Sequence, residues 1–134
     1  MRVIINSDDL GISSSVNEQT LDLIGRRQIT SATLIANAPA LEDAVRKLPK
    51  HVGCSYGVHL NLTEFTPLTP PEELSNLKPF LDGNGCFAGE AVLRSVPIDA
   101  RARDAFFKEW CLQVKRMLSL GLSVSHFDSH NHVH

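Results

Sequence analysis

Short unbroken apolar runs alternate along this chain with segments whose apolar residues recur at helical spacing. This β–α rhythm restricts the fold more than any other feature. Val3, Ile4 and Ile5 lie within Arg2 to Asn6, which reads as a strand covered on both faces. Ser7-Asp8-Asp9-Leu10-Gly11 follows as a polar connection. Ser15 and Glu18 then form an S-x-x-E capping signature, which predicts a helix running to about Arg27 with Val16, Thr20, Leu23 and Ile24 as its stripe. A second strand is expected from Ser31 to Asn37. Pro39 suits the first turn of the next helix, because its missing N–H would lack a partner there. Leu41, Ala44, Val45 and Leu48 form that helix's face, and Pro49 stops it. Cys54 to Leu62 reads as a third strand. Strand, helix, strand, helix, strand predicts a parallel α/β sheet with right-handed crossovers.

The rhythm breaks between Thr63 and Pro97, where prolines and the pairs Asp82-Gly83 and Asn84-Gly85 mark turns. A connection this long inside a compact domain is more often functional than idle. A long helix is expected from about Asp99 to Leu120, with Ala102, Phe106, Trp110, Val114, Met117 and Leu118 as its core positions and Gly121 just past its end. Ser123 to Asp128 completes the pattern as a fourth strand. Four strand units are half of an eight-stranded barrel, which takes roughly 250 residues. A final parallel strand without a covering helix is unusual. The expectation is therefore one partial catalytic domain over residues 1–134, the N-terminal half of an irregular TIM-type (β/α) barrel, or a piece completed by another chain.

Composition excludes several functions. Thirteen basic against fifteen acidic side chains give a net charge of −2, which disfavours nucleic acid or an anionic membrane as partner. No apolar run approaches the roughly 18 residues needed to span a bilayer, and the N-terminus has too short an apolar stretch for a signal peptide. Cys54, Cys86 and Cys111 are odd in number and far apart, so buried reduced thiols are expected rather than a disulfide framework. A cytoplasmic protein is the reading.

Three polar clusters fall at the C-terminal ends of the predicted strands, where parallel α/β folds bind ligands. Asp8 and Asp9 follow the first strand. His59 and Asn61 share one face of the alternating Val58-His59-Leu60-Asn61-Leu62. His126, Asp128, His130, His132 and His134 occupy alternate positions and, if extended, line one face. Each cluster has an ordinary alternative: a solvated turn, a hydrogen-bonded core histidine, or a fraying terminus. Together they offer two imidazoles and a carboxylate with no sulfur, a catalytic metal set that fits zinc, iron, manganese or magnesium. Adjacent carboxylates also allow a division of labour, one ionised on a metal and the other accepting a proton.

In order along the chain, Asn6-Ser7-Asp8-Asp9-Leu10-Gly11, Thr30 to Asn37, Gly57-Val58-His59-Leu60-Asn61-Leu62-Thr63, Asp82 to Phe87 and His126 to His134 resemble successive motifs of the YdjC-like carbohydrate deacetylases, which include the chitooligosaccharide (chitin disaccharide) deacetylases. Leu10 stands where that family usually carries Phe. The resemblance implies a (β/α) barrel binding a divalent cation, commonly magnesium with zinc as the alternative. It implies Asp9, His59 and His130 as metal ligands and Asp8 as general base. Substrates would be N-acetylated sugars, cleaved to acetate and a free amine. His132 is a candidate general acid for the departing amine, and Asn61 would orient ligands or contact sugar. A homodimer is the assembly considered. Two other readings are carried: a metal-dependent hydrolase of phosphoesters (with Arg94 supplied by the long connection) or cyclic amides, and a non-catalytic metal- or sugar-binding fragment.

Overall fold

The computed structural model describes residues 1, 3–48 and 53–134. The elements in chain order are β1 (Asn6–Leu10), α1 (Ser14–Gly25), β2 (Ser31–Leu34), α2 (Leu41–Lys47), β3 (Ser55–Leu60), α3 (Glu90–Ser95), α4 (Ala100–Ser119) and β4 (Val124–Ser129). The four strands pair in parallel in the order β1-β2-β3-β4. The parallel α/β reading thus holds, with several local corrections.

The first strand begins later than its apolar run suggests. Pairing starts at Asn6 opposite Ser31, so Val3, Ile4 and Ile5 lie ahead of the ladder and are 60%, 79% and 51% exposed. The two aspartates therefore lie inside β1 rather than after it. Helix α1 is capped by Ser13, not Ser15: the Ser13 hydroxyl accepts from the Val16 N–H at 3.2 Å. Pro39 sits in the turn before α2, whose first turn carries Glu42 and Asp43 and whose last carries Arg46 and Lys47, complementing the helix dipole. Pro49 lies outside the described residues. The Asp99 side chain caps α4 by accepting from the Ala102 N–H at 2.8 Å, and Gly121 follows the helix at φ +81°.

Leu10, Ile24, Leu34, Ala44, Val58 and Met117 form the main core between the sheet and its helices. The segment after β3 is not an idle loop. Two 3₁₀ stretches (Pro71–Asn76 and Lys78–Phe80), the bridge between Leu81 and Phe87, and α3 fold over the start of α4. They build a second core from Leu62, Leu77, Phe80, Phe87, Leu93 and Phe106, with the Phe80 and Phe106 rings edge to face at 4.7 Å. The predicted stripe of α4 holds at Phe106, Trp110, Val114 and Met117, which enter or pack against the two cores, but its last member, Leu118, is 54% exposed. The three thiols are free but half-buried rather than buried.

The last strand ends at Ser129, and residues His130–His132 form a tight 3₁₀ turn with Asn131 and His132 at φ +55° and +53°. The alternating histidines consequently do not share one face.

Candidate metal centre

Two irregularities in the ladder bring the polar clusters together. Ser7 pairs with Ala32 and Leu10 with Leu34, so β1 carries one more residue than β2 between those points. This bulge contains Asp8 and Asp9, and Asp9 adopts the left-handed φ of +64°. In a regular strand the two carboxylates would face opposite sides. The bulge re-aims Asp9 to the side of His59, a use typical of bulges beside active sites. A matching shift lies in β4, where Tyr56 pairs with Val124 but Val58 with Phe127. It brings Asp128 into register with His59.

Asp9, His59 and His130 each offer a ligand atom, and these atoms lie within 4.8 Å of one another. The Asp9 Oδ1 atom is 3.3 Å from His59 Nε2 and 2.8 Å from His130 Nδ1. Yet neither ring nitrogen is aligned to donate, so Oδ1 is buried without a hydrogen-bond partner. Both imidazoles are buried, His59 to 3% and His130 to 8% exposure. An orphaned carboxylate oxygen facing two imidazole nitrogens is the donor set a divalent cation requires. The residues present fit the metal that the motifs imply.

The surroundings of His59 strengthen that fit. Its Nδ1 lies 2.6 Å from Asp128 Oδ1, and the other Asp128 oxygen accepts from the Thr33 hydroxyl at 2.9 Å. A carboxylate on Nδ1 keeps the proton there and leaves Nε2 as the lone-pair donor toward Asp9. Thr33 is fully buried on β2, between the strands that carry Asp8 and His59. Asp8 is exposed beside this cluster, with Oδ1 accepting from the Asn6 amide at 2.6 Å and lying 3.4 Å from the Thr33 hydroxyl oxygen. The Asn6 bond orients Asp8 without burying it.

Two expected site residues lie elsewhere. His132 is carried out of the cluster by the turn and lines an adjoining cavity of about 510 Å³ with Arg94, Ile98 and His134. Asn61 is fully buried, and its amide is spent internally. Its Oδ1 accepts from the Thr63 N–H, the Thr63 hydroxyl and the Glu64 N–H, while Nδ2 donates to Asn37 Oδ1 and the Glu64 carbonyl. It organises the chain leaving β3 and offers nothing to a sugar.

Three contributors are absent from the set expected of the sequence. Glu64 Oε1 lies 3.4 Å from His130 Nε2. Asp128 and Thr33 orient His59. Asp128 was visible as a polar strand end, but its pairing with His59 depends on the β4 shift, which leaves no local sequence signal.

A parallel α/β sheet with two histidines and a carboxylate gathered where its strands end defines the class of protein. The family is equally plain: the family model described as YdjC-like protein matches residues 2–134, and the chain belongs to that family. Its relatives include a carbohydrate deacetylase of Geobacillus stearothermophilus, 40% identical over 133 residues that make up 98% of this chain and 49% of the relative. Carbohydrate deacetylase 1 of Listeria innocua is 34% identical over 99% of this chain and 52% of its own length. A crystal structure of a candidate cellobiose-phosphate cleavage protein from Enterococcus faecalis superposes with a TM-score of 0.80 at 27% identity, covering 97% of this chain and 48% of that one. The chain spans about half the length of the relatives it matches.

Proposed function

We propose that this chain carries the metal-binding part of a metal-dependent carbohydrate deacetylase that removes N-acetyl groups from amino sugars such as chitooligosaccharides. The observation that carries the reading is the convergence of Asp9, His59 and His130 from three strand ends around one unsatisfied carboxylate oxygen. The names of the relatives supply the substrate class. Asp9 Oδ1, His59 Nε2 and His130 Nδ1 would hold the cation, magnesium in this reading with zinc as the alternative. When bound, such an ion polarises an acyl oxygen and makes water acidic enough to attack near neutral pH.

The residues of the chain do the rest. Asp8 is exposed beside the ligands and oriented by Asn6, and in this reading it takes the proton of the attacking water. The amine must leave protonated. His132 faces another cavity, so the proton accepted by Asp8 is the one this site returns to nitrogen. Asp128 and Thr33 keep the His59 ring from turning as charge develops. Cleavage of a sugar phosphate, the activity in the name of the Enterococcus structure, is disfavoured. Asp8, Asp9, Glu64 and Asp128 surround the two imidazoles, and among the described residues no ion pair brings Lys or Arg to them. A phosphate would meet carboxylates. No described helix is long and apolar enough to cross a membrane, and we place the protein in the cytoplasm.

The test is acetate release from N-acetylated chitooligosaccharides by the chain, with and without chelator. Chelation should stop release and added divalent metal restore it. Asp8→Asn should lower turnover by at least about 100-fold, the scale of a lost general base, while metal affinity stays within a few fold. Release that survives chelation, or an Asp8→Asn variant as active as the parent, would overturn the reading.

A further inference from the structure

We infer that Glu64 is a positioning residue for His130: its carboxylate beside Nε2 favours the proton on that nitrogen and so presents Nδ1 to Asp9 and the cation. This rests on the metal reading of Asp9, His59 and His130. His130 stands between two carboxylates, with Nδ1 2.8 Å from Asp9 Oδ1 and Nε2 3.4 Å from Glu64 Oε1. An imidazole that ligates through one nitrogen carries its proton on the other. A carboxylate on that proton fixes the tautomer and strengthens the ligating nitrogen. His59 has such a partner in Asp128. Glu64 is the carboxylate nearest the far nitrogen of His130, at 3.4 Å an ion-pair distance and longer than the 2.6 Å hydrogen bond of Asp128 to His59.

The construction around Glu64 argues that its place is not incidental. Asn37, Asn61, Thr63, Glu109 and Gln113 are all buried polar side chains, an expensive set for one small domain. All five fasten the same stretch. The Glu64 carbonyl accepts from Asn61 at 2.7 Å and from Asn37 at 3.1 Å, and the Glu64 N–H donates to Asn61 at 3.1 Å. From α4, Gln113 bonds both the N–H and the carbonyl of Asn61, and Glu109 accepts from the N–H groups of Leu68 and Thr69. Next to Glu64, Phe65 is held at φ +62°, a left-handed conformation that is strained for a residue with a side chain. The Asn131 amide donates to the Thr63 hydroxyl at 3.1 Å, tying the turn that carries His130 to the stretch that carries Glu64. The bonds and the strain together hold one half-buried carboxylate against one buried ring.

Zinc binding to the whole chain, read by calorimetry, tests this without any activity assay. Glu64→Ala should raise the zinc Kd by about 10–100-fold, the usual cost of losing such a partner. Glu64→Gln keeps an acceptor for the Nε2 proton and should recover much of that loss. Nitrogen-15 spectra of the zinc-loaded protein should show His130 as the Nε2–H tautomer, and a loosened or mixed state in Glu64→Ala. A Glu64→Ala variant that binds zinc within about twofold of the parent, with the His130 tautomer unchanged, would overturn the inference. So would a Gln variant as weak as the Ala variant, since the defect would then lie in the loop's fold. A parent chain that binds no zinc would remove the metal reading beneath it. A chain that binds zinc with the expected Glu64 dependence but releases no acetate would sink only the deacetylase assignment.

Discussion

Glu109→Gln, which exchanges one oxygen for an NH₂ group and leaves the shape of the side chain unchanged, should be among the most damaging conservative substitutions in this protein. Glu109 is fully buried on α4. Its Oε1 accepts from the Leu68 N–H at 3.0 Å and from Gln113 Nε2 at 2.9 Å, and its Oε2 from the Thr69 N–H at 2.8 Å and the Thr69 hydroxyl at 2.7 Å. Each oxygen therefore faces at least one backbone N–H that cannot rotate away. Whichever way the new amide turns, its NH₂ group meets a fixed donor. Gln113 cannot relieve the conflict by flipping, because its own oxygen accepts from the Asn61 N–H and its nitrogen donates to the Asn61 carbonyl. In the milder orientation the NH₂ replaces Oε2, the Thr69 hydroxyl reverses to accept from it, and the bond from the Thr69 N–H is lost; a bond to a charged acceptor contributes about 1.5–3 kcal/mol, which is the expected destabilisation. That is a large share of the roughly 5–15 kcal/mol that holds a domain of this size folded. Urea denaturation should show a lower midpoint with an unchanged slope. A Glu109→Gln chain within about 1 kcal/mol of the parent would refute the claim that these bonds hold the segment from Asn61 to Thr69 in place.

Two further outcomes follow from the sheet. A Cβ at Gly57 would lie 2.7 Å from the His126 backbone oxygen, so Gly57→Ala must push β3 and β4 apart just ahead of the His59–Asp128 pair. It should cost about 1–3 kcal/mol by thermal unfolding and weaken zinc binding; an unchanged melting temperature would contradict that close approach. Tyr56 is the single tyrosine, and burial first, then the neighbouring Cys54 charge, pushes its phenol up to about 12. Because the folded value is raised above the ordinary 10, its share of stability is intact below pH 10 and is lost as pH climbs toward 12. Tyr56→Phe should therefore flatten the alkaline loss of stability, and tyrosinate absorbance should titrate near 10 only in the unfolded parent; a normal titration in the folded chain would contradict the burial argument.

Patterns short enough to be local were legible in the chain. Apolar runs of three to five residues and helical stripes predict the four parallel strands and the long helix α4, because burial of one face or one stripe is dictated residue by residue. The same patterns put His59 on the polar side of β3 and Asp9 and His130 near strand ends. Other expectations failed where a long-range contact decided the outcome. Val3, Ile4 and Ile5 look like a buried strand, but the ladder begins only where β2 offers a partner. His130 and His132 share an alternating pattern, but a turn at φ +55° and +53° separates them after Ser129. The stretch after β3 reads as turns, although its leucines and phenylalanines fold onto α4 as a second core.

The amino-acid order by itself thus determined the architecture and the chemical types available at the rim: carboxylates and imidazoles, without sulfur. Tertiary structure alone decided which of them meet. An extra residue in β1 turns Asp9 toward the histidines, a second in β4 sets Asp128 beside His59, and the buried amides of Asn37 and Asn61 bring Glu64 to His130. A bulge has no sequence signature unless the strand it pairs with is already known, because it is defined by a count of residues across two chains of hydrogen bonds rather than along one.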